Sequence, residues 1–189
     1  MTNSTKFPPF FHDGVPERLA ALGRSPAVAA AMMDLDLGLF RFHRAATKGE
    51  GIAPLLAQIG ADLEPAEFSA LTAVSRLSHG IGRPAPVEPT VGALAEELAL
   101  DPSRASRLAQ GLIGKGMLRR EPSQQDGRRA VLALSDQAKA LFRTFRDVKW
   151  TRYMAVMADW SDEDIVAFAR LFHRYGEGMR AWHAENGAP

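Results

Sequence analysis

A chain of 189 residues, 46% hydrophobic and 24% charged, is an ordinary globular protein, long enough for one large domain or a domain with an added assembly region. It has no cysteine, which excludes disulfides, thiolate metal sites and cysteine-based redox sensing. A net charge of +1 by itself argues against a nucleic-acid partner, and no apolar run approaches the roughly 18 residues that a membrane span needs.

Residues 1–24 are rich in Pro and Phe, and residues 17–22 have the pattern of one short helix. Phe7-Pro-Pro-Phe-Phe-His-Asp13 lacks the apolar core and cleavage site of a signal peptide, so a cytoplasmic location is expected. A poorly ordered arm is the default for such a terminus. Ser25-Pro26 then opens a long helix in which Val28, Met32, Leu35, Leu39, Phe42 and Ala46 recur at alternating spacings of four and three. Met33, Leu37 and Phe40 extend its apolar surface to a second side, more than one domain face requires, and Gly49 and Gly51 end it. Residues 52–60 read as a short helical connection. Residues 65–78 form a helix with Phe68, Leu71, Val74 and Leu77 inward, and the Pro- and Gly-rich stretch 80–89 is a loop with room for one short strand at Val87. Thr90 caps a helix whose Val91, Leu94 and Leu98 face the core.

The stretch 101–134 carries the most information. On a helical wheel, residues 103–115 place Ser103, Arg104, Arg107, Gln110, Gly111 and Gly114 on one face and Ala105, Leu108, Ala109, Leu112 and Ile113 on the other. Arginine and glutamine present donors that match guanine and adenine edges in the major groove, and the glycines leave room for close approach. Asp101 is placed to cap this helix, Pro102 to start it, and Lys115-Gly116 to end it. Residues 117–122 and 130–134 are strand-like runs about the Asp126-Gly127 turn signal, with Arg128 and Arg129 at the tip. A donor-bearing helix followed by a basic hairpin reads as a recognition helix and a wing, although each alone is commoner as a solvated surface.

In order and spacing, Thr90-Val-Gly-Ala-Leu-Ala95, Leu100-Asp101-Pro-Ser103, Ser106-Arg107-Leu108, Leu112, Lys115-Gly116-Met117, Arg120, Asp126-Gly-Arg128 and Leu132-Ala-Leu-Ser135 resemble the winged helix-turn-helix of MarR-type bacterial transcriptional regulators. The likeness extends more loosely over residues 27–182. It departs at Ser135, where the family usually has threonine, and at Ala138, where it often has glycine. The resemblance implies DNA contacts from Ser103, Arg104, Ser106, Arg107 and Gln110 on the recognition helix. On the wing it implies contacts from Asp126, Arg128 and Arg129, with the Asp126 carboxylate orienting the Arg128 guanidinium.

After the wing, residues 135–157 form a helix with Leu141, Phe142, Phe145 and Val148 inward. A last helix starts at Ser161, with acids in its first turn, a Trp160–Ile165 staple, and a stripe of Ile165, Phe168, Phe172, Tyr175, Met179 and Trp182 expected to be buried. The fold expected is mainly α with a small β-hairpin wing. An arm, 1–24, precedes a helical dimerisation region, 25–60 and 136–185, that flanks a winged helix-turn-helix, 61–135. Val28, Met32, Leu35, Leu39, Phe168, Phe172 and Trp182 are the dimerisation candidates, since these residue types are enriched in interface cores and a two-fold pair of reading helices meets successive major grooves of a palindromic operator.

Charge supports this placement. Residues 53–100 carry six acids and two bases, whereas 101–130 carry seven bases and three acids, so the basic footprint is local and two copies would grip DNA better than one. Catalytic readings are weaker. Gly114-Lys115-Gly116 lacks the flanking residues of a phosphate loop, no hydrolase or dinucleotide motif appears, and His173 with Glu177 is at most half a metal site. The expectation is a homodimeric repressor with no metal, cofactor or catalytic residue, acting on double-stranded DNA. A winged-helix protein-interaction module without DNA, or a metal- or ligand-dependent enzyme, is the alternative. The resemblance further implies release by a small aromatic or phenolic effector, with Phe42 and Phe68 as candidates for its ring and His43, Arg44 and Arg76 for an anionic group.

Overall fold

The computed structural model describes residues 7–187, which divide into two compact units, one ending at Ala138 and the other beginning at Lys139. The elements are a 3-10 turn at Pro9–Phe11, helices α1 (Val15–Ala21), α2 (Pro26–Thr47), α3 (Ala53–Gln58), α4 (Pro65–His79), α5 (Val91–Glu97) and α6 (Pro102–Gly114), strands β1 (Leu118–Pro122) and β2 (Ala130–Leu134), and helices α7 (Asp136–Val156) and α8 (Asp162–Asn186). No described helix is long and apolar enough to cross a membrane.

The first unit is built on α4. Its stripe of Phe68, Leu71, Val74 and Leu77 is at most 3% exposed, and Ala70 and Ala73 beside it let neighbouring backbones approach closely. Leu94 and Ala95 of α5, Ala105, Ala109 and Leu112 of α6, and Leu118 and Leu132 of the hairpin complete the same core. Each fully buried leucine contributes about 1.5–3 kcal/mol, so this core fixes the reading elements more firmly than any surface contact does. Gly80 ends α4 at φ +66°, and a Cβ there would lie 2.9 Å from the Pro86 nitrogen, so the sharp exit into the loop requires glycine.

The strands pair antiparallel from Leu118 opposite Leu134 to Pro122 opposite Ala130. Residues 87–89 form no strand, but the Val87 amide donates to Leu77 O at 2.8 Å and the Leu132 amide to Pro89 O at 2.8 Å, which ties the hairpin to the segment ahead of α5. Ser135 serves where the family usually has threonine: its hydroxyl accepts the Ala138 amide at 3.1 Å, and Ala138 is fully buried.

Two elements differ from expectation. The described part of the N-terminal arm packs on α2: Phe7 stacks on Phe11 at 4.7 Å between centroids and meets Phe40 of α2 edge-on at 5.1 Å, and His12 Nε2 lies 3.0 Å from an Asp36 carboxylate oxygen. The second apolar side of α2 gives the arm something to pack against. Residues 1–6 lie outside the described part. The α8 stripe is not buried: Phe168, Phe172, Tyr175, Met179 and Trp182 are 40–58% exposed, and α8 has no buried residue. Helical spacing establishes that an apolar face exists and says nothing of what covers it. The Trp160 ring meets Phe168 of α8 edge-on at 5.4 Å. Along α2, Val28, Met32 and Leu35 are likewise exposed and Leu39 is half-buried.

Candidate nucleic-acid interface

The helix-turn-helix is assembled from local rules. Thr90 Oγ1 accepts the Ala93 amide at 3.1 Å and starts α5. The helix closes through Ala99 N–H to Glu96 O at 3.1 Å and Leu100 N–H to Ala95 O at 2.9 Å, with Ala99 at φ +50°. That left-handed position is one that glycine usually fills. Asp101 then caps α6, its Oδ1 accepting the Arg104 amide at 2.8 Å and the Ser103 hydroxyl at 2.6 Å. The Ser103 hydroxyl, followed by these amides, holds the Asp101 carboxyl below its ordinary value. Ser103 is thereby engaged in capping its own helix.

The two faces of α6 are as the wheel predicts. Ala105, Ala109 and Leu112 are fully buried, Leu108 and Ile113 are half-buried, and Arg104, Arg107 and Gln110 stand exposed, with Ser106 half-buried beside them. A Cβ added at Gly111 or Gly114 would meet nothing within 4 Å, so the C-terminal half of this face is open. Arg104 and Arg107 have no ion-pair partner among the described residues.

Not all seven bases of this region are free. Lys115 Nζ lies 2.9 Å from both Glu67 Oε2 and Asp62 O, and so fastens the end of α6 to α4. Burial pushes the Glu67 carboxyl up, but bonds from Lys115 and the Glu64 amide outweigh it and hold the group low. Arg119 Nε lies 2.6 Å from Glu121 Oε1 on the same strand. Among the described residues this leaves Arg104, Arg107, Arg120, Arg128 and Arg129 exposed without an ion-pair partner. Arg120, named in the resemblance but not among the expected DNA contacts, is exposed like the wing-tip pair.

At the wing, Asp126 Oδ1 accepts the backbone amide of Arg128 at 3.1 Å, and its carbonyl accepts the Arg129 amide at 2.8 Å, so in this structure the carboxylate shapes the turn. An aspartate side chain is short enough to reach the amide two residues on, and that local bond closes the tip. The Ser123 amide donates to Arg129 O at 2.9 Å, and Arg128 and Arg129 project from the closed loop into solvent.

The expected effector residues are not gathered into one pocket. Phe68 is buried in the α4 core. Arg76 Nε lies 2.8 Å from Glu97 Oε1, and Arg83 binds the other oxygen of the same carboxylate. Arg76 is therefore already neutralised, and its bond is the main reason that the Glu97 carboxyl sits below its ordinary value. Phe42, His43 and Arg44 lie exposed on α2, with Arg44 3.9 Å from Glu50. A cavity of about 350 Å³ opens instead where α2 ends and α4 begins, lined by Thr47, Lys48, Gly49, Ile52, Glu64 and Ser69 among others and by none of these five. His173 and Glu177 lie 3.6 Å apart on the exposed surface of α8, and no group of three or more metal-binding side chains occurs among the described residues.

Residues 61–129, from just ahead of α4 to the wing tip, match the model of the MarR family. Over this winged-helix segment the chain is similar to the MarR family. A helix-turn-helix-type transcriptional regulator of Bacillus subtilis, YxaD, is 30% identical over 86 residues, which span 46% of this chain and 60% of YxaD. Among solved structures, a MarR family protein from Bacillus stearothermophilus superposes with a TM-score of 0.63 at 20% identity, covering 80% of this chain and 96% of that one. MepR of S. aureus, solved bound to ethidium bromide, gives 0.52 at 18% identity over 75% and 94%. At such identities the structural likeness is one of fold, and the sequence likeness to the MarR family is that of the winged-helix segment.

Proposed function

We propose that this protein is a cytoplasmic, sequence-specific DNA-binding regulator of transcription that acts as a homodimeric repressor on a palindromic operator and is released by a small aromatic effector. The observation that carries the reading is the α6 face: Arg104, Arg107 and Gln110 exposed and unencumbered on a helix locked from behind by Ala105, Ala109 and Leu112, with Arg128 and Arg129 on the adjoining wing. Rigid presentation of bidentate donors suits base readout in a major groove, and free arginines on a hairpin suit phosphates or a minor groove.

Homodimerisation is supported by the exposed stripes of α2 (Val28, Met32, Leu35, with Leu39) and α8 (Phe168, Phe172, Trp182), which are large for a surface meant to stay in water. The five free arginines of one copy neutralise few phosphates, and a second copy doubles that number. The effector reading is supported by the ethidium-bound relative.

A titration of duplex DNA at several salt concentrations tests the core of this reading: binding must occur and must weaken steeply with salt. Sedimentation of Leu35→Asp/Leu39→Asp should show monomer, since unpaired charges in an apolar interface are costly. An unchanged dimer would remove α2 from the interface. A thermal-shift screen of aromatic acids and phenols, followed by release of bound DNA, tests the effector.

A further inference from the structure

The wing loop is moored to the rest of the winged helix by one carboxylate that no sequence pattern marks. Glu88, two residues ahead of the Thr90 cap, reaches across 35 positions and receives the Ser123 hydroxyl at 2.8 and 2.7 Å on its two oxygens and the Gln124 amide at 3.0 Å. Ser123 Oγ in turn accepts the Gln125 amide at 3.1 Å and the Asp126 amide at 3.0 Å. A hydroxyl has one proton and two lone pairs, and here all three are used. Ser123 is 5% exposed, and among the described residues the acceptor of its hydroxyl is Glu88.

We infer that Glu88 is the positioning residue of the wing: through Ser123 it clamps the 123–129 loop to the segment that leads into α5, so that Arg128 and Arg129 meet DNA in one preset orientation. This rests on the reading that the wing arginines contact DNA. Within the loop, Ser123 and Asp126 between them take the amides of residues 125, 126, 128 and 129, so the loop is a closed unit whose orientation depends on what holds it from outside. The hydrogen bonds that hold the hairpin to the segment ahead of α5 are Leu132 N–H to Pro89 O, midway along β2, and those of the Glu88 carboxylate at the loop. Arg129 adds an attraction to the same carboxylate, after the bonds from Ser123 and the backbone amides, and together these hold the Glu88 carboxyl below its ordinary value. Without the clamp, Arg128 and Arg129 must be ordered at the moment of binding, and the ordering cost reduces affinity.

The test uses the full-length protein, residue-resolved amide hydrogen exchange in the absence of DNA, and titration with duplex selected from a random pool by the parent protein. Glu88→Ala should speed exchange of the Gln124, Gln125 and Asp126 amides at least tenfold while α4 amides stay protected, and should weaken DNA binding roughly 3- to 10-fold. Glu88→Gln, which keeps an acceptor for the Ser123 hydroxyl, should restore part of both. Ser123→Ala is the second variant should Glu88→Ala fold poorly, with the same two changes expected. Unchanged exchange at the three amides overturns the clamp. Faster exchange with parental DNA affinity overturns the positioning role, provided that Arg128→Ala/Arg129→Ala binds more weakly than the parent. Parental binding by that double variant overturns instead the reading of the wing as a DNA contact, and so the role inferred for Glu88.

Discussion

Two helices of this chain carry apolar stripes of similar regularity and meet opposite fates. α6, 13 residues long, buries Ala105, Ala109 and Leu112 completely. α8, with 25 residues and far bulkier side chains at its apolar positions, has no buried residue. The small stripe of α6 lets the helix sit close to its neighbours, which is what a reading helix needs in order to present a rigid outer face. The aromatic stripe of α8 is what a surface held for a partner looks like, because leaving rings of that size in water forgoes their largest favourable term.

Truncations on the two stripes should therefore behave differently. Leu112→Ala leaves a cavity in the core and should destabilise the winged helix by about 2–5 kcal/mol, read as a lowered denaturation midpoint at every protein concentration. Phe172→Ala should cost little in a monomer. In a dimer that buries the ring, the loss should approach about 3–5 kcal/mol and shrink apparent stability most at low protein concentration. A concentration-independent loss below about 0.5 kcal/mol would show that the α8 stripe is simply solvated.

The contrast between α6 and the wing is of another kind. Both carry arginines, but the outer face of α6 is backed directly by apolar burial, whereas the wing loop beyond the buried strands is held by hydrogen bonds to a distant carboxylate. Arg107→Ala should weaken binding to the selected duplex by about 1–3 kcal/mol and bind random duplex almost as the parent does. An equal loss on both would reassign Arg107 to the phosphate backbone and erase the distinction between the two elements.

This contrast also explains what was legible in the sequence. Element order, the caps at Ser25, Thr90, Asp101, Ser135 and Ser161, and both faces of α6 follow from periodicity and from capping rules that act within a few residues. Their counterparts across the chain were not readable. Glu88 is 35 residues from Ser123, Glu67 is 48 from Lys115, and Glu97 is 21 from Arg76, so no local pattern couples them. These pairings decide which basic residues are free: Lys115 and Arg76 looked available for DNA or an effector and are tied, whereas Arg120 is free. The packing of the N-terminal arm was invisible for the same reason, since it depends on Phe40 and Asp36 of α2.

The Glu97 node joins α4 and the following loop to the first helix of the motif, and it gives a pH test of those tertiary ties. Its carboxyl is held below the ordinary value of 4.5, first by the Arg76 bond. A lowered folded value means that its stabilisation is complete above pH 4.5 and is lost as pH falls through the folded value. Denaturation midpoints should fall across that acid range in the parent and fall less in Glu97→Gln, which is already without the charge. Parallel curves would mean that Arg76 and Arg83 do not stabilise the fold through Glu97. A smaller gain tests the turn between the two helices. Ala99 holds a left-handed φ of +50°, so Ala99→Gly should raise stability by about 0.5–1 kcal/mol, and a loss would show that the turn relaxes when the methyl is removed.

The smallest expected effect separates two roles for Asp126. Were its carboxylate needed to orient Arg128, Asp126→Asn would lose part of what Arg128→Ala loses, and the double variant would be less than additive. In the structure the carboxylate oxygen accepts the Arg128 amide at 3.1 Å, and an asparagine carbonyl can accept that same bond. Asp126→Asn should therefore bind the selected duplex within about twofold of the parent, with the loop amides equally protected. The slope of affinity against salt should hold, because Arg128 and Arg129 would neutralise the same phosphates. Asp126→Ala, which removes the acceptor, should loosen the tip and weaken binding. The order parent, Asn, Ala, with the step falling between Asn and Ala, is the signature of a turn former. A step between parent and Asn would return the charge to the role that the family resemblance implies.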